Sequence, residues 1–294
     1  MGEYRLVMRA TRILVGLLAA LALAGCGGAP KREDPALNRA SQLRDMGKWD
    51  QAIAETQRLI DMSPESPGPQ RLLDEIHKAR QDFAMQFTNL HGNTHVVCMH
   101  DRNQSYELYV PSTYDSKTPH SILYVFDAGA KTKELMNQLY AGVAPLGWIM
   151  AASNNSRNGP WADIFAAQDA VVKDTEVRLN LHPSRRFATG FSGGARASLA
   201  LAFRFPDKVC GVLAMGAGWP INTDLKPGGK PLAVFILIGN QDSNLAKDIP
   251  ETAAKLQQAG ITPYVQQYAG GHEWPHPNTI APCLQWLNGA VPQI

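Results

Sequence analysis

One pentapeptide constrains this chain more than any other feature: Gly190-Phe191-Ser192-Gly193-Gly194, with a short apolar run at 186–189 before it and an Ala-rich helical pattern at 194–203 after it. A serine flanked by glycines two residues away on either side, at a strand-to-helix turn, marks a bend too tight for ordinary backbone angles. The glycines let neighbouring backbone pass where a Cβ would clash. Such a turn presents its hydroxyl at a helix N-terminus, so Ser192 is a candidate nucleophile, and a chain built around it needs both strands and helices.

A serine at its ordinary pKa needs a base, and an imidazole needs a carboxylate to fix its tautomer and stabilise its cation. Both are found downstream. After the apolar run 232–238 comes Gly239-Asn240-Gln241-Asp242-Ser243, which sets Asp242 in a loop at a strand end; Gly270-Gly271-His272-Glu273-Trp274-Pro275 follows the strand-like run 264–268. Ser, Asp, His is the chain order expected of a nucleophile elbow and its partners. Asp224 and Asp248 are rival acids, and His276 is a rival base. Residues 272–276 also spell HExxH, which holds zinc only on a helix. Pro275 and the Gly270-Gly271 pair oppose a helix there, so no metal is expected. His91, His95, Cys98 and His100 cluster in sequence without metal-ligand spacing.

The rest of the chain supports a large core. Its 294 residues are 45% hydrophobic and 18% charged, and the formal net charge of +2 includes no basic stripe of the kind a phosphate backbone requires, so no nucleic acid partner is expected. From residue 92 onward, strand patterns at 94–99, 106–110, 121–126, 147–152, 186–189, 209–215, 232–238 and 264–268 alternate with helical ones at 133–140, 161–179, 194–203, 251–259 and 279–287. That order predicts an α/β fold with a mostly parallel central sheet flanked by helices and its site at the strand C-termini. Between 215 and 232 there is no helical pattern to serve as a lid, so the site is expected to be open.

Arg5, Arg9 and Arg12 precede an uncharged apolar run at 13–24, which has signal-peptide length and is short of a bilayer span. Leu23-Ala24-Gly25-Cys26 followed by Gly27-Gly28 resembles the lipobox of a bacterial lipoprotein. That resemblance implies a signal peptide at 1–25, acylation of Cys26 by palmitate-like chains, and export to a bacterial membrane held by its lipid anchor, the outer membrane where the host has two. Residues 26–34 read as a linker. At 35–90 helical patterns follow, opened by Asp34-Pro35; Leu37, Ala40 and Leu43 share one face, Ala52, Ile53, Thr56, Leu59 and Ile60 another, and Leu72, Ile76, Ala79, Phe83 and Phe87 a third, whose two Phe are candidates to dock the hairpin onto the main domain. The stretch from Gly47 to Pro64 resembles half of a single tetratricopeptide repeat. Stable stacks need about three repeats, so a helical hairpin packed on something else is expected, with any protein partner illegible. Cys98, Cys210 and Cys283 remain, which allows at most one disulfide and one free thiol, and no disulfide is assigned.

Residues 92–294 resemble the α/β-hydrolase superfamily, and within it the polyhydroxyalkanoate depolymerase and feruloyl esterase-like group of serine esterases. The residues that carry this are Tyr106-Glu107-Leu108-Tyr109-Val110-Pro111, the turn at Ser192, the Asp242 loop and Gly270-Gly271-His272. The resemblance implies hydrolysis of a small-molecule or polymeric carboxylic ester through an acyl-enzyme on Ser192, with His272 as base, Asp242 as its orienting acid and no cofactor. Where such esterases carry His-Gly, this chain has Phe126-Asp127-Ala128-Gly129, so the oxyanion hole is assigned to the backbone N–H of Gly193 with that of Ala128 or Gly129. Asn154-Asn155-Ser156-Arg157-Asn158-Gly159-Pro160-Trp161 either binds substrate or turns the chain. Asn155, Trp161, Trp219 and Trp274 are the substrate-contact candidates, against the alternative that the tryptophans are core. Two other functions stay open: an amide-cleaving peptidase of the same fold, and a non-catalytic lipoprotein scaffold.

Overall fold

A computed structural model describes residues 35–45, 48–85 and 92–292. The apolar run 13–24, Cys26, the hairpin glycine Gly47, Phe87 and the side chain of Phe83 lie outside what is described.

Helices α1 (Pro35–Asp45), α2 (Trp49–Met62) and α3 (Pro67–Met85) form the N-terminal helical segment. Both α1 and α3 open on proline, whose missing N–H costs nothing in a first turn. Their facing sides bury Ala40, Trp49, Ala52, Leu72 and Ile76, and Val177 of the following domain packs against this cluster. This contact sets the helical cluster against the larger body. Thr56, a β-branched residue inside α2, satisfies its hydroxyl on Ala52 O at 2.7 Å.

The body is a sheet of 8 strands in the order β1-β2-β4-β3-β5-β6-β7-β8. The strands are β1 (Gly92–Val97), β2 (Ser105–Val110), β3 (His120–Asp127), β4 (Ile149–Ser153), β5 (Leu181–Phe191), β6 (Val209–Met215), β7 (Ala233–Gly239) and β8 (Tyr264–Tyr268). β1 and β2 pair antiparallel, β2 runs antiparallel to β4, and every pair from β4 to β8 is parallel. Helices α4 (Thr132–Val143), α5 (Trp161–Arg178), α6 (Gly193–Arg204), α7 (Asn244–Lys247) and α8 (Ile249–Gln258) lie in the crossovers, and α9 (Pro277–Ala290) follows β8.

Alternation along β3 shows how the layers form. Ile122, Tyr124 and Phe126 join the core that includes Ala170 and Val171 of α5 and Ala197 and Leu201 of α6. Leu123 and Val125 face the opposite core with Leu135 and Leu139 of α4 and Leu284 and Leu287 of α9. Both faces are covered, which is why these strands read as continuous apolar runs. This is the α/β architecture expected from the sequence. Strand β5 starts at Leu181 rather than near 186, because His120 pairs with Leu181 before a register irregularity that the Pro183 region hides in sequence. The register aligns Asp127 with Phe191, Phe191 with Met215, and Gly239 with Tyr268, so the C-terminal strand ends form one edge.

Candidate active site

Ser192 stands between β5 and α6 with φ 55° and ψ −116°. That conformation costs an L-residue about 1–3 kcal/mol and persists only where its surroundings impose it. Here they do: Ser192 N donates to Met215 O at 2.8 Å, and Ser192 O accepts from Ala195 N at 3.0 Å. Gly190 and Gly194 both lie against the Phe126 carbonyl near the end of β3, so the glycine spacing reflects close approach between neighbouring strand ends. Serine ordinarily caps a helix with its own hydroxyl. Ser192 makes no such side-chain cap; its Oγ faces His272 Nε2 at 2.9 Å instead.

His272 Nδ1 lies 2.6 Å from Asp242 Oδ2. The Asp242 side chain is fully buried, whereas that of His272 is 42% exposed, so the acid is shielded while the ring opens to solvent. Asp242 Oδ1 accepts from Asn244 N at 2.9 Å, which fixes the carboxylate plane. With Nδ1–H donating to Asp242, Nε2 is left as an acceptor for the serine proton, the tautomer a base requires. The acid loop and the histidine loop are laced together by Gln241 N to Gly270 O and Asn240 N to Tyr268 O, both 2.9 Å. Sequence reasoning missed Tyr268, whose hydroxyl donates to Glu273 O at 2.6 Å and lies 3.2 Å from Gly271 O, spanning the loop that carries His272. The Phe191 ring packs on His272 and on Trp274, with centroids 4.8 and 5.4 Å away.

The rivals are committed elsewhere. Asp248 Oδ2 accepts from Arg196 Nη2 and Gly218 N, each at 2.9 Å, and Asp224 is exposed. His276 Nδ1 accepts from Asn278 N and caps α9; the two histidines of the HExxH string thus have different partners, and residues 272–276 are not helical. Burial pushes the thiols of Cys98 and Cys283 up to about 12 and that of Cys210 to about 11, which withholds the thiolate a cysteine nucleophile would need.

Two expectations about the mouth change. Gly129 N donates to Asp127 Oδ2 at 2.7 Å, and Lys131 N donates to the same oxygen at 3.0 Å. The Asp127 carboxylate closes a turn on itself and uses the Gly129 N–H, so Gly129 is not an oxyanion donor. Ala128 and Gly193 remain. Asn155 is the second correction: its Oδ1 accepts from Ser105 N at 2.8 Å and its Nδ2 donates to Asn103 O at 2.9 Å. Both ends of that amide hold the β1–β2 connection, so it turns the chain and does not reach for substrate. Trp219 packs on Phe203 with Lys255 over its ring and belongs to the helix layer. Trp274 is half-buried against Phe191. Trp161 is half-buried at the start of α5, and its Nε1 donates to Ile221 O at 2.7 Å, tying α5 to the β6–β7 connection. That connection, residues 216–232, carries no helix.

The strand order, the serine turn and the downstream acid and histidine loops together have the arrangement of the α/β-hydrolase fold. No family model matches the chain. It is 27% identical over 187 residues to a probable feruloyl esterase C of Aspergillus oryzae, covering 60% of this chain and 67% of that protein. Among solved structures, a ferulic acid esterase superposes with TM-score 0.52 at 16% identity, covering 69% of this chain and 100% of its own. The feruloyl esterase module of Clostridium thermocellum, complexed with sinapinate, gives TM-score 0.52 at 14% identity over 66% of this chain and 86% of its own.

Proposed function

We propose that this ester-hydrolysing enzyme is a serine esterase working through an acyl-enzyme, with Ser192 as nucleophile, His272 as general base and acid, and Asp242 as the acid that orients the ring. The observation that carries the reading is the imidazole of His272 bridging Ser192 Oγ and Asp242 Oδ2 at 2.9 and 2.6 Å. As Ser192 Oγ bonds to the ester carbonyl carbon, its proton passes to His272 Nε2. The carbonyl oxygen takes up negative charge against the N–H groups of Gly193 and Ala128, each such donor contributing about 2.7–4 kcal/mol in the transition state. The proton then goes to the departing alkoxide. Water repeats the sequence from the other side and frees Ser192.

The substrate class we infer is the ester of an aromatic, hydroxycinnamate-type acid. It rests on the Aspergillus relative's name and on Trp161, whose Nε1 meets the backbone of Ile221, itself 51% exposed, in the connections that follow β4 and β6. Polymeric esters, as in the polyhydroxyalkanoate depolymerase group, are the second candidate for the same site. The lipobox-like Leu23-Ala24-Gly25-Cys26 supports an exported protein anchored through acylated Cys26, with the tetratricopeptide-like hairpin as a spacer between membrane and catalytic body.

A substrate panel tests the reading. The purified full chain in detergent is assayed on methyl ferulate, short and long p-nitrophenyl esters, polyhydroxybutyrate and a matched anilide. Ester turnover with methyl ferulate among the best supports it; preferential anilide cleavage supports the peptidase instead.

A further inference from the structure

The loop between β4 and α5 reaches the turn that carries the nucleophile, and Asn158 is the residue that meets it. The Asn158 backbone holds the peptide that follows β3: its N–H donates to Ala128 O at 2.9 Å, and next to it Gly129 and Arg157 form an antiparallel bridge. The side chain points to a different role. A Cβ built on Gly193 would lie 1.8 Å from Asn158 Oδ1, 2.8 Å from Cγ and 3.3 Å from Nδ2. The whole carboxamide therefore occupies the space that any other residue at 193 would need.

Gly193 does not owe its identity to backbone angles, because it is not among the residues with positive φ. Glycine in a helix gives up about 1 kcal/mol relative to alanine, and what this glycine makes room for is the Asn158 amide. That amide is exposed, and among the described residues it makes no hydrogen bond through its side chain. A neutral carboxamide offers two N–H donors and brings no negative charge. It stands against the residue whose own N–H is assigned to the oxyanion.

We infer that Asn158 is a further catalytic residue, whose Nδ2–H donates to the oxyanion alongside the N–H groups of Gly193 and Ala128. This rests on the serine-esterase reading above. Asn158 makes and breaks no covalent bond; it stabilises the growing charge on the substrate oxygen as Ser192 Oγ bonds to carbon, and releases it as the carbonyl reforms.

The test uses the full chain with Asn158→Ala and Asn158→Asp, measuring kcat and KM on the best ester, melting temperature, and the end-point stoichiometry of fluorophosphonate labelling. Asn158→Ala should lower kcat about 10²-fold with KM within about threefold. Asn158→Asp, nearly isosteric but negatively charged, should lose more. A residue that only fills the space over Gly193 gives the reverse: Asp near wild type, Ala impaired together with its melting temperature. That result, or kcat retained in both variants, overturns the inference. A wild-type chain that takes no label fails at the serine itself, and the inference falls with that reading; full labelling of wild type and both variants separates the two cases.

Discussion

The carbonyl oxygen of Phe126 lies 2.1 Å from the position a Cβ on Gly194 would take and 2.3 Å from that of Gly190. Both glycines of the serine turn thus answer to one atom near the end of β3, the strand that leads into the turn closed by the Asp127 carboxylate. Neither distance can be absorbed by rotating a side chain, because the obstacle is backbone. Gly190→Ala and Gly194→Ala should each destabilise the chain by about 1–3 kcal/mol, the usual cost of overpacking, and lower activity by displacing Ser192. Gly289→Ala, in α9 with nothing within 4 Å of its Cβ position, should be neutral or stabilising. Urea denaturation of the three variants checks this; equal stabilities would show that the turn tolerates a methyl group.

Asp242→Asn should lower kcat by about 10⁴-fold, the scale seen when such an acid is replaced by its amide. Its carbonyl oxygen can still accept from Asn244 N. The amide then donates to His272 Nδ1, and the ring turns to the tautomer with its proton on Nε2, which cannot take one from Ser192. Thermal melting should change little. A variant retaining more than about a tenth of wild-type kcat would mean that another group orients the ring.

Tyr268 acts on His272 through the loop alone. Burial, followed by the carboxylates of Asp242 and Glu273, pushes the phenol up to about 12, so it stays a donor across the working range. Tyr268→Phe removes about 1 kcal/mol of hydrogen bonding; if all of that is felt at the barrier, kcat falls about fivefold with KM unchanged. A lowered melting temperature with kcat intact would limit Tyr268 to a structural role.

His120 gives the fold a pH dependence away from the site. Its Nε2 lies 3.0 Å from Asp115 N, which donates to it, and burial lowers its pKa from the ordinary 6.5 against the opposing pull of the Asp115 backbone and carboxylate. The unfolded chain therefore binds this proton more readily. The stability contributed by the neutral ring is present above pH 6.5 and is lost as pH falls below that value through the folded pKa. His120→Gln, which keeps an acceptor and cannot titrate, should lose less melting temperature than wild type between neutral and mildly acidic pH. Parallel profiles for the two proteins would contradict this.

Much of the site is legible in the sequence because each part is local. A serine turn between a strand and a helix, Asp242 just past one apolar run and His272 just past another need only strand ends and turn residues to be placed, and the parallel register then brings them together. What escapes depends on side-chain partners that the local pattern does not show. Gly129 reads as a donor until the Asp127 side chain takes its N–H, and Asn155 reads as a substrate contact until its partners at 103 and 105 are in place. Trp161, Trp219 and Trp274 carry the same sequence signal, yet Trp161 and Trp219 both pack against the core on one face of the sheet, whereas Trp274 lies on Phe191 beside His272. Tyr268 has no local signature, and Asn158 is not singled out within the 154–161 stretch, since each matters only for what lies across a loop.

The central claim is that Ser192 is an activated nucleophile, and intact-mass analysis of the full chain after fluorophosphonate treatment addresses it most directly. One adduct per wild-type chain and none on Ser192→Ala is the predicted result. A folded wild-type chain without adduct, or an adduct that persists on Ser192→Ala, would contradict it.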